Sequence, residues 1–160
     1  MIAIDGSQKS GSGTIVRCGV GLATLLGEEL EIKNIRAKRE KPGLRAQYLG
    51  AISACRDICS GEVEKATVGS KEIEFKPRGG PKGGSYEWDI GTAASTTMLA
   101  QAILPLACFA DRTSTFIIQG GLFQDFAPSF SSSKVWGGCA ELTILRPGYV
   151  PRGGGRLSLK

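Results

Sequence analysis

A chain of 160 residues, 41% hydrophobic and 22% charged, has the make-up of a soluble globular protein, either one domain or two small repeats sharing a core. Its longest apolar stretch, MLAQAILPLACFA (98–110), falls short of the ~18 residues a membrane span needs, and no basic leader with an apolar core opens the chain, so neither a span nor a signal peptide is expected. The net charge is +5 with no His, which excludes His-based triads, His-metal sites and imidazole general bases.

MIAID reads as a short apolar strand, and TIVRCGVGLATLLG places Ile15, Cys18, Leu22 and Leu25 on one helical face, with Gly27 as the stop. LEIKNI (30–35) alternates like a strand. EKPGLRAQYLGAISACRDICSG then sets Tyr48, Ile52, Cys55 and Cys59 on one helical face and ends at Gly61. VEKATVGSKEIEFKP (63–77) reads as two short strands around Gly69 and Ser70. YEWDIG (86–91) is a strand, and 95–110 a helix apolar nearly all round, hence buried. STFIIQGG (114–121) is a strand, and 140–159 closes the chain with a pair of strands.

These elements fall into two copies of one pattern, residues 1–80 and 81–160. Asp5-Gly6 is echoed by Asp89-Ile90-Gly91, Pro42 by Pro128, and KPRGG (76–80) by VPRGGG (150–155). Pro42 and Pro77 are 35 residues apart but Pro128 and Pro151 only 23, so the second copy is 12 residues short, about three helical turns. Its SFSSSKVWGG stretch cannot sustain an amphipathic helix. The fold class is therefore α/β (α+β): two tandem β-α-β-α-β-β repeats, the second lacking its second helix. One face of that sheet then lacks its cover. Trp136 is placed to pack into the gap, and a homodimer through the uncovered face is expected.

Five Cys, at 18, 55, 59, 108 and 139, are odd in number and lack zinc-ligand spacing. They read as buried thiols in a reducing, cytoplasmic setting. Lys33, Arg36, Lys38, Arg39, Lys41 and Arg45 crowd one segment against Glu40 alone, either as a solvated loop or as a clamp for polyanions; RPGYVPRGGGR (146–156) is a second basic segment. GSQKSGSGT (6–14) is neither a Walker A loop, since Ser12 stands where Lys is needed, nor a dinucleotide fingerprint, since Val16 stands where the third Gly is needed. It remains a Gly/Ser loop feeding a helix: a tight turn, or an anion site in which Lys9 and Arg17 add charge. IGTAAST (90–96) feeds the third helix in the same way.

Taken in order, IDGSQKSGSGTIVR, IRAKREKPGLRAQ, DIGTAASTTMLAQAILP, GGLFQDFAP and RPGYVPRGGG resemble the RNA 3′-terminal phosphate cyclase family. The resemblance covers essentially this whole chain but about half of a full-length member. It implies use of ATP and a divalent cation, Mg²⁺ or Mn²⁺, to convert an RNA 3′-phosphate into a 2′,3′-cyclic phosphate through a covalent nucleotidyl-histidine. RNA 3′ ends are the implied partner. Carried over residue by residue, Ser10 and Gly11 line a nucleotide and RNA-phosphate site. Arg36, Arg39 and Gln47 face the polyanion, Gln101 lies near the metal and nucleotide, and Pro128 lines the same pocket.

Departures from the pattern bear on the chemistry. The family's nucleophilic His lies downstream of the matching part, and this chain has none. Its opening loop carries a metal-binding Glu where Ser10 stands, and a hydroxyl is a poor substitute for a carboxylate at Mg²⁺. Ala94 replaces a Gly of the second-repeat signature. No catalytic residue is assigned. The expectation is an inactive fragment or shortened form of the enzyme, with a non-catalytic RNA-binding module and a trimmed structural scaffold as alternatives.

Overall fold

A computed structural model of the protein describes residues 1–91, 93–123, 127–128, 140–149 and 151–160. The chain divides into two compact units, Met1–Lys82 and Gly83–Lys160. The first runs β1 (Ile2–Asp5), α1 (Thr14–Leu26), β2 (Leu30–Lys33), α2 (Ala46–Cys59), β3 (Glu62–Glu64) and β4 (Ile73–Lys76). Its sheet has the order β1-β2-β4-β3. β1 and β2 are parallel, joined through α1, whereas β4 inserts antiparallel between β2 and β3.

The second unit repeats this topology. It runs β5 (Ser85–Asp89), α3 (Thr96–Cys108), β6 (Thr115–Gly120), β7 (Leu142–Arg146) and β8 (Gly155–Leu159), in the sheet order β5-β6-β8-β7. Again the first two strands are parallel and the last strand inserts antiparallel. Even single hydrogen bonds recur: Gly6 donates its N–H to Lys33, and Ile90 donates its own to Gln119. α2 has no counterpart among the described residues of this unit. Trp136 and the SFSSSKVWGG stretch expected in place of a second helix lie outside the described residues.

The first core sits between the sheet and its two helices. Leu30, Ile32, Ile73 and Phe75 bury against Val16, Val20 and Ala23 of α1 and against Ile52, Cys55 and Ile58 of α2. Each such aliphatic or aromatic side chain contributes about 1.5–3 kcal/mol on full burial. α1 approaches the sheet closely at Gly19: a Cβ there would meet Ile32 Cδ1 at 3.2 Å and Leu30 Cδ2 at 3.4 Å. The outward sheet face is charged instead. Lys65 pairs with Glu72 and Glu74, Lys76 with Glu64, and Arg78 with Glu62.

Three sequence expectations are corrected. The face of α1 that meets the core is Val16, Gly19, Val20 and Ala23, not Ile15, Cys18, Leu22 and Leu25; Leu22 is 57% exposed. The small residues Gly19 and Ala23 allow close approach to the sheet, and the bulkier neighbouring stripe is left outside. α3 is buried through Leu99, Ala100, Ile103 and Leu106, but Gln101, Pro105 and Cys108 are exposed, so it has one buried face rather than burial all round. Accordingly Cys18 and Cys108 are exposed free thiols, whereas Cys55 and Cys59 are buried as expected.

Candidate functional site

Parallel pairing of β1 and β2 puts the loops that leave their C-terminal ends at one edge of the first sheet. Those loops are 6–13, leading into α1, and 34–45, leading into α2. The first is organised by Asp5, whose Oδ1 accepts from the Ser7 N–H at 2.9 Å and from Asn34 Nδ2 at 3.3 Å. The Ser7 bond in particular holds the Asp5 carboxyl below the ordinary value of 3.8. Lys9, Asn34 and Arg36 take left-handed backbone conformations, three of the five non-glycine cases among the described residues. Such conformations cost of order 1–3 kcal/mol each and concentrate at functional sites.

Tyr48 ties the two loops together. It is the third residue of α2, and its ring lies against Gly13, the residue that starts α1. A Cβ on Gly13 would come within 1.9 Å of Tyr48 Cζ. Two guanidinium groups flank the same ring, Arg17 at 5.7 Å and Arg36 at 5.8 Å from its centroid. Arg36 also fastens its own loop, donating from Nη1 to the carbonyls of Lys41 at 2.7 Å and Gly43 at 3.1 Å.

Neither helix start is capped. α1 begins at Gly13 and α2 at Arg45, with no side-chain cap bond and no acidic residue in either first turn. Orphan N–H groups at two neighbouring helix starts attract anions. Lys9, Arg17, Lys38, Arg39, Lys41 and Arg45, with Arg36, form no ion pair among the described residues, whereas the cations of the outer sheet face are paired. Positive charge thus stands in excess at this edge, with Asp5 and Glu40 as the nearby carboxylates.

The sequence-predicted residues divide between the two units. Ser10 is exposed in the first loop; Gly11 is buried beside it at φ 55°, close to the Lys38 side chain. Arg36 sits at the Tyr48 ring. Arg39 is exposed one turn further on, its N–H bonded to the Arg36 carbonyl. Gln47 is half-buried in the first turn of α2. These five share one edge. Gln101, exposed on α3, and Pro128, half-buried, belong to the second unit. Arg17, expected to add charge to the first loop, lies at the Tyr48 ring, whereas Tyr48 itself carries no site signal in the sequence. Its helical spacing marks it as part of a core stripe, and it stands immediately after the Arg-rich motif that ends at Gln47.

The corresponding loop of the second unit is built differently. Asp89 repeats the turn of Asp5, accepting from the Gly91 N–H at 2.8 Å and from Gln119 Nε2 at 2.9 Å. The helix start, however, is satisfied internally. Ser95 Oγ accepts from the Met98 N–H, and Thr96 Oγ1 donates to the Gly121 carbonyl. Among the described residues no three His, Cys, Asp or Glu side chains gather to hold a metal ion. Gln101, an exposed neutral amide, does not make a divalent-cation site by itself. No helix among the described residues is long and apolar enough to cross a membrane.

Fold and edge together define a two-unit α/β protein whose first unit gathers basic side chains and two uncapped helix starts at the C-terminal ends of β1 and β2. The family model for RNA 3′-terminal phosphate cyclase matches residues 8–160, and the chain belongs to that family. It is similar to the RNA 3′-terminal phosphate cyclase of Archaeoglobus fulgidus, at 42% identity over 99% of this chain and 51% of that one. Similar too are those of Pyrococcus furiosus, at 43% over 97% and 47%, and Ectopseudomonas mendocina, at 38% over 99% and 48%. The chain spans about half the length of the curated relatives it matches.

Proposed function

We propose that these 160 residues carry the phosphate-binding part of an ATP-dependent RNA 3′-terminal phosphate cyclase. The ligand is a phosphate chain, that of ATP or of an RNA 3′ end, held at the edge where α1 and α2 begin. One observation carries the reading: two uncapped helix starts meet across the Gly13–Tyr48 contact, with Arg17 and Arg36 on the same ring and no carboxylate pairing them. Orphan N–H groups and guanidinium forks are the donors that phosphate oxygens take. A triphosphate fits such a donor set. The divalent cation finds no cluster of three His, Cys, Asp or Glu side chains among the described residues and is not assigned to particular residues of the chain.

Chemistry is a separate matter from binding. The resemblance routes cyclisation through a nucleotidyl-histidine, and the sequence has no His. The chain by itself is therefore proposed to bind without forming that intermediate. The test uses a short RNA ending in a 3′-phosphate, titrated at several salt concentrations, alongside incubation with labelled ATP. Binding should fall with salt at a slope of about −0.7 per phosphate contacted. It should weaken in Arg17→Ala and Arg39→Ala, and no covalent label should appear. A labelled protein band would refute the absence of chemistry. Salt-independent binding, or binding indifferent to both substitutions, would refute the site.

A further inference from the structure

The second basic segment, 146–156, plays no part in the site just described. It holds Arg146, Arg152 and Arg156 and no acidic residue. In the second unit it folds back on itself: the Gly153 N–H bonds to the Tyr149 carbonyl at 2.7 Å, and Arg146 Nε to the Gly154 carbonyl at 2.6 Å. Glycines make the fold-back close. A Cβ on Gly148 would lie 2.0 Å from the Gly155 nitrogen. The Leu122 N–H then bonds to the Gly148 carbonyl at 3.1 Å, which brings Tyr149 beside Phe123.

Their rings stack, with centroids 5.3 Å apart and planes within 24°. Yet the pair is not part of the core. Tyr149 is 61% exposed and Phe123 44%. Beside it lies a concavity of about 290 Å³ whose lining includes Tyr149, Pro151 and Arg152. Arg156 is committed to Glu87, but Arg152 is exposed and forms no ion pair among the described residues. An exposed aromatic pair held by backbone hydrogen bonds, next to a guanidinium with no ion pair among the described residues, combines a π-face with a phosphate donor. Single-stranded nucleic acid needs both.

We propose that the Phe123–Tyr149 pair is a stacking platform for a nucleobase of single-stranded RNA, with Arg152 on the adjoining phosphate. The nucleotide it takes belongs to the body of the strand rather than to its phosphorylated end. Stacking on an aromatic face makes little demand on base identity, so the platform is tolerant of sequence. The inference rests on the reading of the first unit only in taking RNA as the polyanion; the two surfaces are tested separately.

The experiment measures fluorescence anisotropy of a labelled ten-nucleotide RNA bearing a 3′-phosphate, with the full chain and its Tyr149→Ala and Tyr149→Phe variants. Inorganic tripolyphosphate is titrated in parallel by calorimetry. Tyr149→Ala should weaken RNA roughly tenfold, and Tyr149→Phe, which keeps the ring, by less than twofold. Tripolyphosphate affinity should be the same in all three. A 5-iodouridine RNA should photocrosslink to the Tyr149 or Phe123 peptide. Unchanged RNA affinity in Tyr149→Ala, or crosslinks mapping only to the first unit, would overturn the platform and leave the phosphate site standing. Absence of tripolyphosphate binding by the unaltered chain, with the Tyr149 effect on RNA intact, would do the reverse, and weakened tripolyphosphate binding in Tyr149→Ala would overturn the platform as a separate surface.

Discussion

Replacing Gly13 by alanine separates the proposed contact from ordinary helix chemistry by the sign of its effect. Gly13 has φ −66° and ψ −6°, a right-handed conformation that alanine adopts freely. With open space around it, Gly13→Ala would stabilise the protein by about 0.4–1 kcal/mol through the unfolded chain. The space is not open: the new Cβ would sit 1.9 Å from Tyr48 Cζ, 2.1 Å from Cε1 and 2.4 Å from the hydroxyl. Tyr48 is only 7% exposed, so its ring cannot swing aside into water without leaving its pocket. Overpacking of this kind costs about 1–3 kcal/mol, enough to reverse the sign. With a urea m-value of about 1–3 kcal/mol/M, the midpoint should fall by roughly 1 M. Urea unfolding followed by far-UV circular dichroism reads this. Trp88 lies in β5 of the second unit, so its fluorescence reports on that unit. The double-mutant cycle with Tyr48→Ala should restore the favourable sign of Gly13→Ala. An unchanged or raised midpoint in the single variant would refute the packing of Gly13 on Tyr48, and with it the joining of the two loops.

Gly43→Ala should be costly for a different reason. Gly43 is at φ 82° and its Cβ would lie 2.2 Å from the Gly69 carbonyl oxygen; the variant should lose about 1–3 kcal/mol in urea titration and bind tripolyphosphate more weakly, because the Gly43 carbonyl anchors Arg36. The thiols should split by reactivity towards a disulfide reagent at pH 8. Cys18 and Cys108 are exposed and should react quickly, whereas burial pushes the Cys55 thiol up to about 12, and Cys55 should react only after unfolding, as read by peptide mass spectrometry. Asp5→Asn should change the acid limb of stability. The Asp5 carboxyl is held below 3.8, so its charge contributes stability above that value and loses it as pH falls through the folded value; the advantage of wild type over the variant in thermal unfolding should shrink below pH 3.8. A constant difference across pH would contradict the Asp5 turn.

Much of the fold is legible in the sequence because strand and helix periods alternate and the punctuation is explicit. Gly27, with φ 67°, ends α1 where expected, its N–H reaching the Ala23 carbonyl. Tyr48, Ile52, Cys55 and Cys59 are buried on one face of α2 as the spacing implies. The inward face of α1 was not legible, for a physical reason: two adjacent stripes are both apolar, and which one meets the sheet is decided by the small side chains of Gly19 and Ala23. Hydrophobicity counts the larger Leu22 as the better core residue, whereas packing distance prefers glycine. The exposure of Cys18 follows from the same rule, since it rides on the outer stripe. In the site, Arg36 and Arg39 were legible as charge, but the role of Tyr48 was not. A buried aromatic at helical spacing looks like any other core residue until its neighbours are two guanidinium groups and a glycine from another loop.

The most direct test of the central claim is a calorimetric titration of the chain with Mg-ATP, repeated with the Arg17→Ala/Arg39→Ala double variant. Both side chains are replaced without touching the Arg36 bonds that hold the loop. The account predicts saturable binding by the chain and at least a tenfold loss in the double variant, whose circular dichroism stays unchanged. Absence of saturable binding in a folded sample, or equal affinity in the two proteins, would contradict it.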